Sequence, residues 1–333
     1  MRILAGDIGG TNTRLILADI HENDQHILIK KSYPSAQYPD FIQVLENFLT
    51  DTDASLSIDA ACFAVAGPVY SGIVQVTNLP WVITEQQVRS VINTQRVALI
   101  NDFVAVGYGI PLLSASDLLL LQQPDSNLND SQFTDAAVIG AGTGLGVSHL
   151  VYNEGSYRPY SSEAGHVGFA PENQQQLELL AWLQKNNSHV SIEMLLSGDG
   201  LERIYKFLHE STGLSESLSV AQAMRHSDPA QVITNHALQE EDDLCVKTLD
   251  LFVDIYGSAA GNVALHYHPI GSLYIAGGIA AKISQCMNNG RFIKAFRSKG
   301  KMSSNLSNIS VQLITQEKVG LYGAISYASS IGE

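Results

Sequence analysis

Gly6-Asp7-Ile8-Gly9-Gly10-Thr11-Asn12 lies between two apolar runs, Ile3-Leu4-Ala5 and Leu15-Ile16-Leu17-Ala18. Both runs read as short strands, so the glycines form a tight hairpin turn rather than the start of a helix. Paired glycines let the backbone approach a ligand closely and let its N–H groups face a phosphate. Asp7 sets one carboxylate beside those donors. A carboxylate and a phosphate repel each other unless a cation lies between them, so the pattern implies Mg2+. Taken alone, the stretch is equally an ordinary hairpin turn.

The same signature recurs. Ala136-Ala137-Val138-Ile139 reads as a strand, Gly140-Ala141-Gly142-Thr143-Gly144-Leu145-Gly146 as a glycine turn, and Val147 to Tyr152 as the strand that follows. Two such turns about 130 residues apart suggest an internal duplication, one copy per domain. A third glycine pair, Gly277-Gly278, follows the strand Leu273-Tyr274-Ile275-Ala276 and precedes a helix. Neither common nucleotide motif fits: Gly300-Lys301 is followed by Met302, and the glycines at 140–146 lead into a strand.

Around these turns the patterning alternates strand and helix. Strands are expected at 2–8, 12–20 and about 26–33. A helix is expected near 39–50, where Phe41, Val44, Leu45 and Phe48 recur at helical spacing. Further strands are expected at Ala61–Ala66, ending at Gly67-Pro68, and at Gln95–Ile100, ending at Asn101-Asp102. A long helix is expected near 240–267, its start favoured by Glu240, Glu241, Asp242 and Asp243 and its end marked by Pro269. The last segment, about 318–330, reads as a helix returning to the first domain. Such alternation makes an α/β fold, in which ligands gather outside the carboxyl ends of the strands, where Asp102 falls.

Composition narrows the partners. The 333 residues are 45% hydrophobic and 16% charged, enough for two domains with their own cores. A net charge of −14 argues against nucleic acid or an anionic membrane surface. Three widely spaced cysteines, Cys62, Cys245 and Cys286, fit a reduced, cytoplasmic protein. No apolar run is long enough to span a bilayer.

The ordered set of motifs resembles the ATPase core shared by sugar kinases, Hsp70 and actin, and within it the bacterial hexokinase-type glucokinases. The matching segments are 6–12, Ala66-Gly67-Pro68, Thr77-Asn78-Leu79-Pro80-Trp81, Ile100-Asn101-Asp102-Phe103, 140–146, Glu163-Ala164-Gly165-His166-Val167, Ser191-Ile192-Glu193 with Leu196-Ser197-Gly198, and Ile275-Ala276-Gly277-Gly278-Ile279. The resemblance implies a two-domain ribonuclease H-like (actin-like ATPase) sugar kinase fold. Its small domain would be 1–112 plus 317–333, its large domain 113–316, with ATP and a hexose meeting in the cleft. It further implies Asp102 as the general base on the sugar 6-hydroxyl, with Asn101, Asp102, Glu163, His166 and Glu193 holding the sugar. Gly6, Asp7, Ile8, Gly9, Gly10 and Thr11 with Gly142, Thr143 and Gly144 would hold the nucleotide phosphates, Gly277 and Gly278 would lie near adenosine, and Asp7 would organise Mg2+ through water. A homodimer is implied as well.

Those residue types suit the chemistry. A hexose is neutral and covered in hydroxyls, which carboxylates, Asn and His can match with acceptors and donors. Phosphoryl transfer needs mainly positioning, Mg2+ and one group to take the hydroxyl proton. Each residue also has a plainer reading: Asn101-Asp102 as a helix N-cap, His166 as a core histidine, Glu163 as a surface acid, Glu193 as a capping-box partner to a Ser. The related ROK kinases bind zinc through a His of a similar Glu-x-Gly-His element and a Cys-x-Cys-Gly-x-x-Gly-Cys cluster. This chain lacks that cluster, so no zinc is expected at His166. The activity expected is transfer of the ATP γ-phosphoryl to glucose; the alternatives are another neutral hexose, fructose or mannose, or a non-catalytic sugar sensor.

Overall fold

The computed structural model describes residues 1–21, 24–52, 57–125 and 134–332. The chain divides into two compact units. Met1–Ala115, Ser156–Ser161 and Gln316–Glu333 form the first, and Ser116–Gly155 with Ser162–Thr315 form the second.

In the first unit, β1 (Arg2–Ile8) and β2 (Asn12–His21) form the antiparallel hairpin expected around Gly9-Gly10, and β3 (Asp24–Pro34) continues it. β4 (Ala60–Val65) joins β1 in parallel; its six residues are all buried, as a strand covered on both faces requires. The short strands β5 (Val69–Tyr70), β6 (Ile73–Gln75) and β7 (Val82–Thr84) make a separate small sheet. β8 (Val97–Asn101) pairs with β4, giving the order β3-β2-β1-β4-β8. Side-chain alternation along β1 sends Leu4 and Ile8 to one face, where they meet Phe41, Val44 and Phe48 of the helix Phe41–Thr50. Ile3 and Ala5 face the other way, onto Ala105 and onto Leu321 and Ala324 of the C-terminal helix Val319–Gly332. That helix therefore does return to the first sheet. The helix at 41–50 starts two residues later than its periodicity suggests, because the Asp40 carboxylate caps it by accepting Gln43 N–H at 2.8 Å.

In the second unit, β9 (Leu118–Gln122) is an edge strand, and β10 (Ala136–Ala141) and β11 (Leu145–Asn153) form the second glycine hairpin. β12 (Ser156–Ser162) comes next, and its residues Ser156–Ser161 belong with the first unit. β13 (Ser272–Ala276) runs parallel to β10, and β14 (Ser310–Ile314) parallel to β13, with β9 antiparallel beyond it. The order β11-β10-β13-β14 repeats β2-β1-β4-β8 in directions and connections, so the duplication read from the two turns extends to four strands of each sheet. Behind the second sheet the helix Asp243–His266 is buried along most of its length. It begins after Glu240 and Glu241, since Asp242 is the N-cap and accepts Cys245 N–H at 2.8 Å. Among the described residues no helix is long and apolar enough to cross a membrane.

Candidate active site

The register of the first sheet sets Ile8, Val65 and Asn101 in one row across β1, β4 and β8, so three carboxyl ends finish together. At ~4.8 Å between neighbouring strands, the first glycine turn and Asp102 lie about two strand spacings apart. Gly9 N–H closes the turn onto Asn12 O at 3.0 Å. Ser35, fully buried, braces it from below: its hydroxyl donates to Gly9 O at 2.9 Å and lies 3.0 Å from Thr13 Oγ1, while its N–H donates to Thr11 O at 2.9 Å. Two further motif segments of this unit, at 66–68 and 77–81, meet the same edge. Ala66 N–H bonds Ile8 O at 3.1 Å, and Thr77 N–H bonds Ala66 O at 2.9 Å.

Asp7 faces Arg14 across the hairpin, Arg14 Nη1 donating to Asp7 Oδ2 at 3.2 Å. Burial pushes the Asp7 carboxyl above its ordinary value, and the Arg14 charge and hydrogen bond pull it back. Asn101 is the N-cap of the helix Asp102–Gly109: its Oδ1 accepts Phe103 N–H at 2.9 Å and Val104 N–H at 3.3 Å, and its Nδ2 donates to Gly67 O at 3.2 Å. The plain capping reading thus holds for Asn101, which keeps one amide hydrogen for a ligand. Asp102 is the first helical residue and not the cap. It is half-buried, with Oδ1 accepting its neighbour Phe103 N–H at 3.0 Å.

In the second unit, Gly142 N–H bonds Gly144 O at 2.8 Å, and Gly142 O accepts the N–H of Gly198, the first residue of the helix Gly198–Thr212, at 3.0 Å. Thr143 at the tip is exposed. Gly277 lies beside this turn because Gly140 is in register with Ala276. Its φ is +88°, and a Cβ there would come within 2.3 Å of Ala141 O, so only glycine fits. Gly278 opens the helix Gly278–Lys282. The buried hydroxyl of Tyr256 links the two turns, accepting Ala141 N–H at 3.1 Å and lying 3.3 Å from Ala276 O.

Glu163, His166 and Glu193, thirty residues apart in sequence, meet beside that turn. Glu163 precedes a short 3-10 turn, Ala164–His166, and Glu193 lies in another, Ile192–Met194. The two are laced together by Ile192 N–H to Val167 O and Phe169 N–H to Val190 O, at 2.9 and 2.8 Å. His189 Nε2 adds a bond to His166 O at 2.9 Å. The His166 ring then stands 3.9 Å from Glu163 Oε2 and 3.8 Å from Glu193 Oε1. With 63% of its side chain accessible, His166 is no core histidine. Glu193 caps nothing at Ser191; its Oε2 instead accepts Leu145 N–H at 2.8 Å.

Of the residues expected at the site, Asp7, Gly9–Thr11, Asn101 and Asp102 lie at one edge of the first sheet, and Gly142–Gly144, Gly277, Glu163, His166 and Glu193 in one region of the second unit. Arg14, Ser35 and Tyr256 were not among those expected. Arg14 carried a signal, an arginine opposite Asp7 across the first glycine hairpin. Ser35 and Tyr256 act across 26 and 115 residues and left no local pattern.

A repeated hairpin, glycine turn and parallel extension, flanked by helices, defines the two-domain ribonuclease H-like α/β fold of sugar kinases and actin-like ATPases. The family model described as Glucokinase matches residues 4–331. A glucokinase of Nostoc sp. is 39% identical over 347 residues, covering 99% of both chains. The crystal structure of a glucokinase from an Antarctic psychrotroph superposes with a TM-score of 0.81 at 32% identity, covering 99% of each chain. A ROK-family glucokinase from Streptomyces griseus, solved with glucose and AMPPNP, shares the fold at a TM-score of 0.67 and 18% identity, covering 99% of this chain and 100% of its own. The chain belongs to the glucokinase family and is an enzyme of it.

Proposed function

We propose that this chain transfers the γ-phosphoryl of ATP to the 6-hydroxyl of D-glucose. The observation that carries the reading is the position of the His166 ring between Glu163 and Glu193, within 4 Å of each, beside a glycine turn. These three side chains offer carboxylate acceptors and an imidazole to a ligand dense in hydroxyls. An analogue lacking one of those hydroxyls would forgo one of these pairings and bind less well.

In this reading the turns Gly9–Thr11 and Gly142–Gly144 hold the phosphates through backbone N–H groups other than those of Gly9 and Gly142, which close the turns, and Gly277 and Gly278 lie along the adenosine. Asp102 accepts the proton of the 6-hydroxyl as its oxygen attacks phosphorus, and Asn101 offers its remaining amide hydrogen to the sugar. Asp7 fits Mg2+ by donor type: one hard carboxylate oxygen, steadied by Arg14, suits an ion that keeps several waters and takes its other ligands from phosphate. When bound, Mg2+ would offset the charge of the β- and γ-phosphates.

A coupled ADP-release assay with glucose, fructose, mannose and N-acetylglucosamine tests the reading. The largest kcat/KM belongs to glucose. A larger value with fructose or mannose would reassign the substrate, and no ADP release with any sugar would make the chain a sensor.

A further inference from the structure

Glu193 divides its carboxylate between two tasks. Oε2 accepts the N–H of Leu145, the residue after the Gly142–Gly144 turn, at 2.8 Å, and Oε1 points to the His166 ring at 3.8 Å. The fit is close on the turn side: a Cβ on Gly144 would lie 2.5 Å from Glu193 Oε2. The opposite side of the turn is fixed by Gly198 N–H on Gly142 O. One flexible strut therefore joins the turn to the Glu163–His166–Glu193 cluster, all within the second unit.

We infer that Glu193 is a positioning residue coupling hexose occupancy to the phosphate turn. The inference rests on the site assignments of the proposed function. A sugar hydroxyl donating to Oε1 pins the carboxylate, which holds Leu145 N–H and stiffens the turn before nucleotide arrives. The nucleotide then meets a turn already ordered and loses less entropy on binding. The effect is reciprocal, because a coupling free energy acts equally on both ligands. A phosphate that draws the turn into its binding shape sets Oε2, and through it Oε1, for the sugar.

Gly144→Ala tests this without touching sugar directly. The backbone at Gly144 is outside the left-handed region, and the atom a Cβ would strike is the free end of a side chain, so the variant folds and the carboxylate moves. Titration calorimetry with glucose in the absence of nucleotide should show a Kd raised roughly tenfold, the scale of one displaced hydrogen bond to a charged group. Glu193→Asp, one methylene too short to reach both partners, should weaken glucose alone and MgAMP-PNP alone by several-fold each. Glu193→Gln, whose amide oxygen still takes Leu145 N–H, should leave MgAMP-PNP affinity without sugar within about twofold of wild type. Wild-type glucose affinity in Gly144→Ala, with glucose binding weakened in Glu193→Asp, would overturn the coupling and leave Glu193 as a sugar ligand alone. Wild-type glucose affinity in both Glu193 variants would overturn the sugar assignment, and the coupling with it.

Discussion

Tyr256→Phe isolates one hydroxyl beneath the two glycine turns of the second unit. The ring itself is retained, with its edge contacts to Phe252 and Phe292 at centroid distances of 5.9 and 5.7 Å. What is lost is the acceptor for Ala141 N–H and the donor near Ala276 O, both at buried positions. A buried amide left without its partner costs ~1–3 kcal/mol, the desolvation of the group rather than the net worth of a bond. At roughly 2–4 °C per kcal/mol for a unit of this size, the midpoint of that range lowers Tm by about 4–8 °C in scanning calorimetry. Ala141 precedes Gly142 and Ala276 precedes Gly277, so the loosened segment is the one assigned to the nucleotide. MgAMP-PNP should bind roughly three- to tenfold more weakly, about 0.7–1.4 kcal/mol. The Tyr256 hydroxyl has its pKa pushed up by burial, so it stays protonated and neither effect depends on pH near neutrality. A Tm within 1 °C of wild type together with unchanged nucleotide affinity would refute the argument, since Ala141 N–H would then need no help from Tyr256.

Two further predictions follow from buried hydrogen bonds. Ser35→Ala removes the hydroxyl that holds Gly9 O, so it should cost about 1 kcal/mol of stability and raise the nucleotide KM in steady-state assays, with the glucose KM little changed. Asp242→Ala uncaps the helix Asp243–His266 and should cost ~1 kcal/mol at pH 7 in urea unfolding. Burial alone would push the Asp242 carboxyl up, but hydrogen bonds from Cys245, Ser217 and Leu244 outweigh it and hold the value below the usual carboxylate range. A carboxyl depressed in the folded state stabilises above its unfolded value, near 4, and loses that contribution as pH falls through the folded value. The Asp242→Ala penalty should therefore be full at pH 6–7 and shrink below about pH 4.

How far the fold could be read from the chain differs by element, for physical reasons. The two glycine hairpins were legible because strand alternation and turn chemistry are local, and the C-terminal segment was legible as a helix returning to the first domain. The small sheet β5–β7 was not legible, since strands of two or three residues leave no period to detect. The helices Gln174–Gln184, Gly198–Thr212 and Pro229–Leu238 went unread between the motifs that flank them. Helix starts moved inward wherever an acid capped the end, at Asp40 and Asp242. In the site, Glu163 and His166 were legible as a local motif. Their approach to Glu193 depends on two irregular 3-10 turns held by backbone bonds, which no periodicity announces. Asn101 shows how readings overlap: the residue expected at the sugar is also the helix cap, because a cap at a strand's carboxyl end is where a ligand would sit.

The central claim, that Asp102 takes the proton of a glucose hydroxyl during phosphoryl transfer, is tested most directly by ADP release from the Asp102→Asn variant at saturating glucose and MgATP. Asn preserves the shape at the first helical position and cannot accept the proton. The expected result is turnover lowered by at least ~10²-fold, with glucose Kd kept within a few-fold of wild type. Turnover near that of wild type would contradict the account.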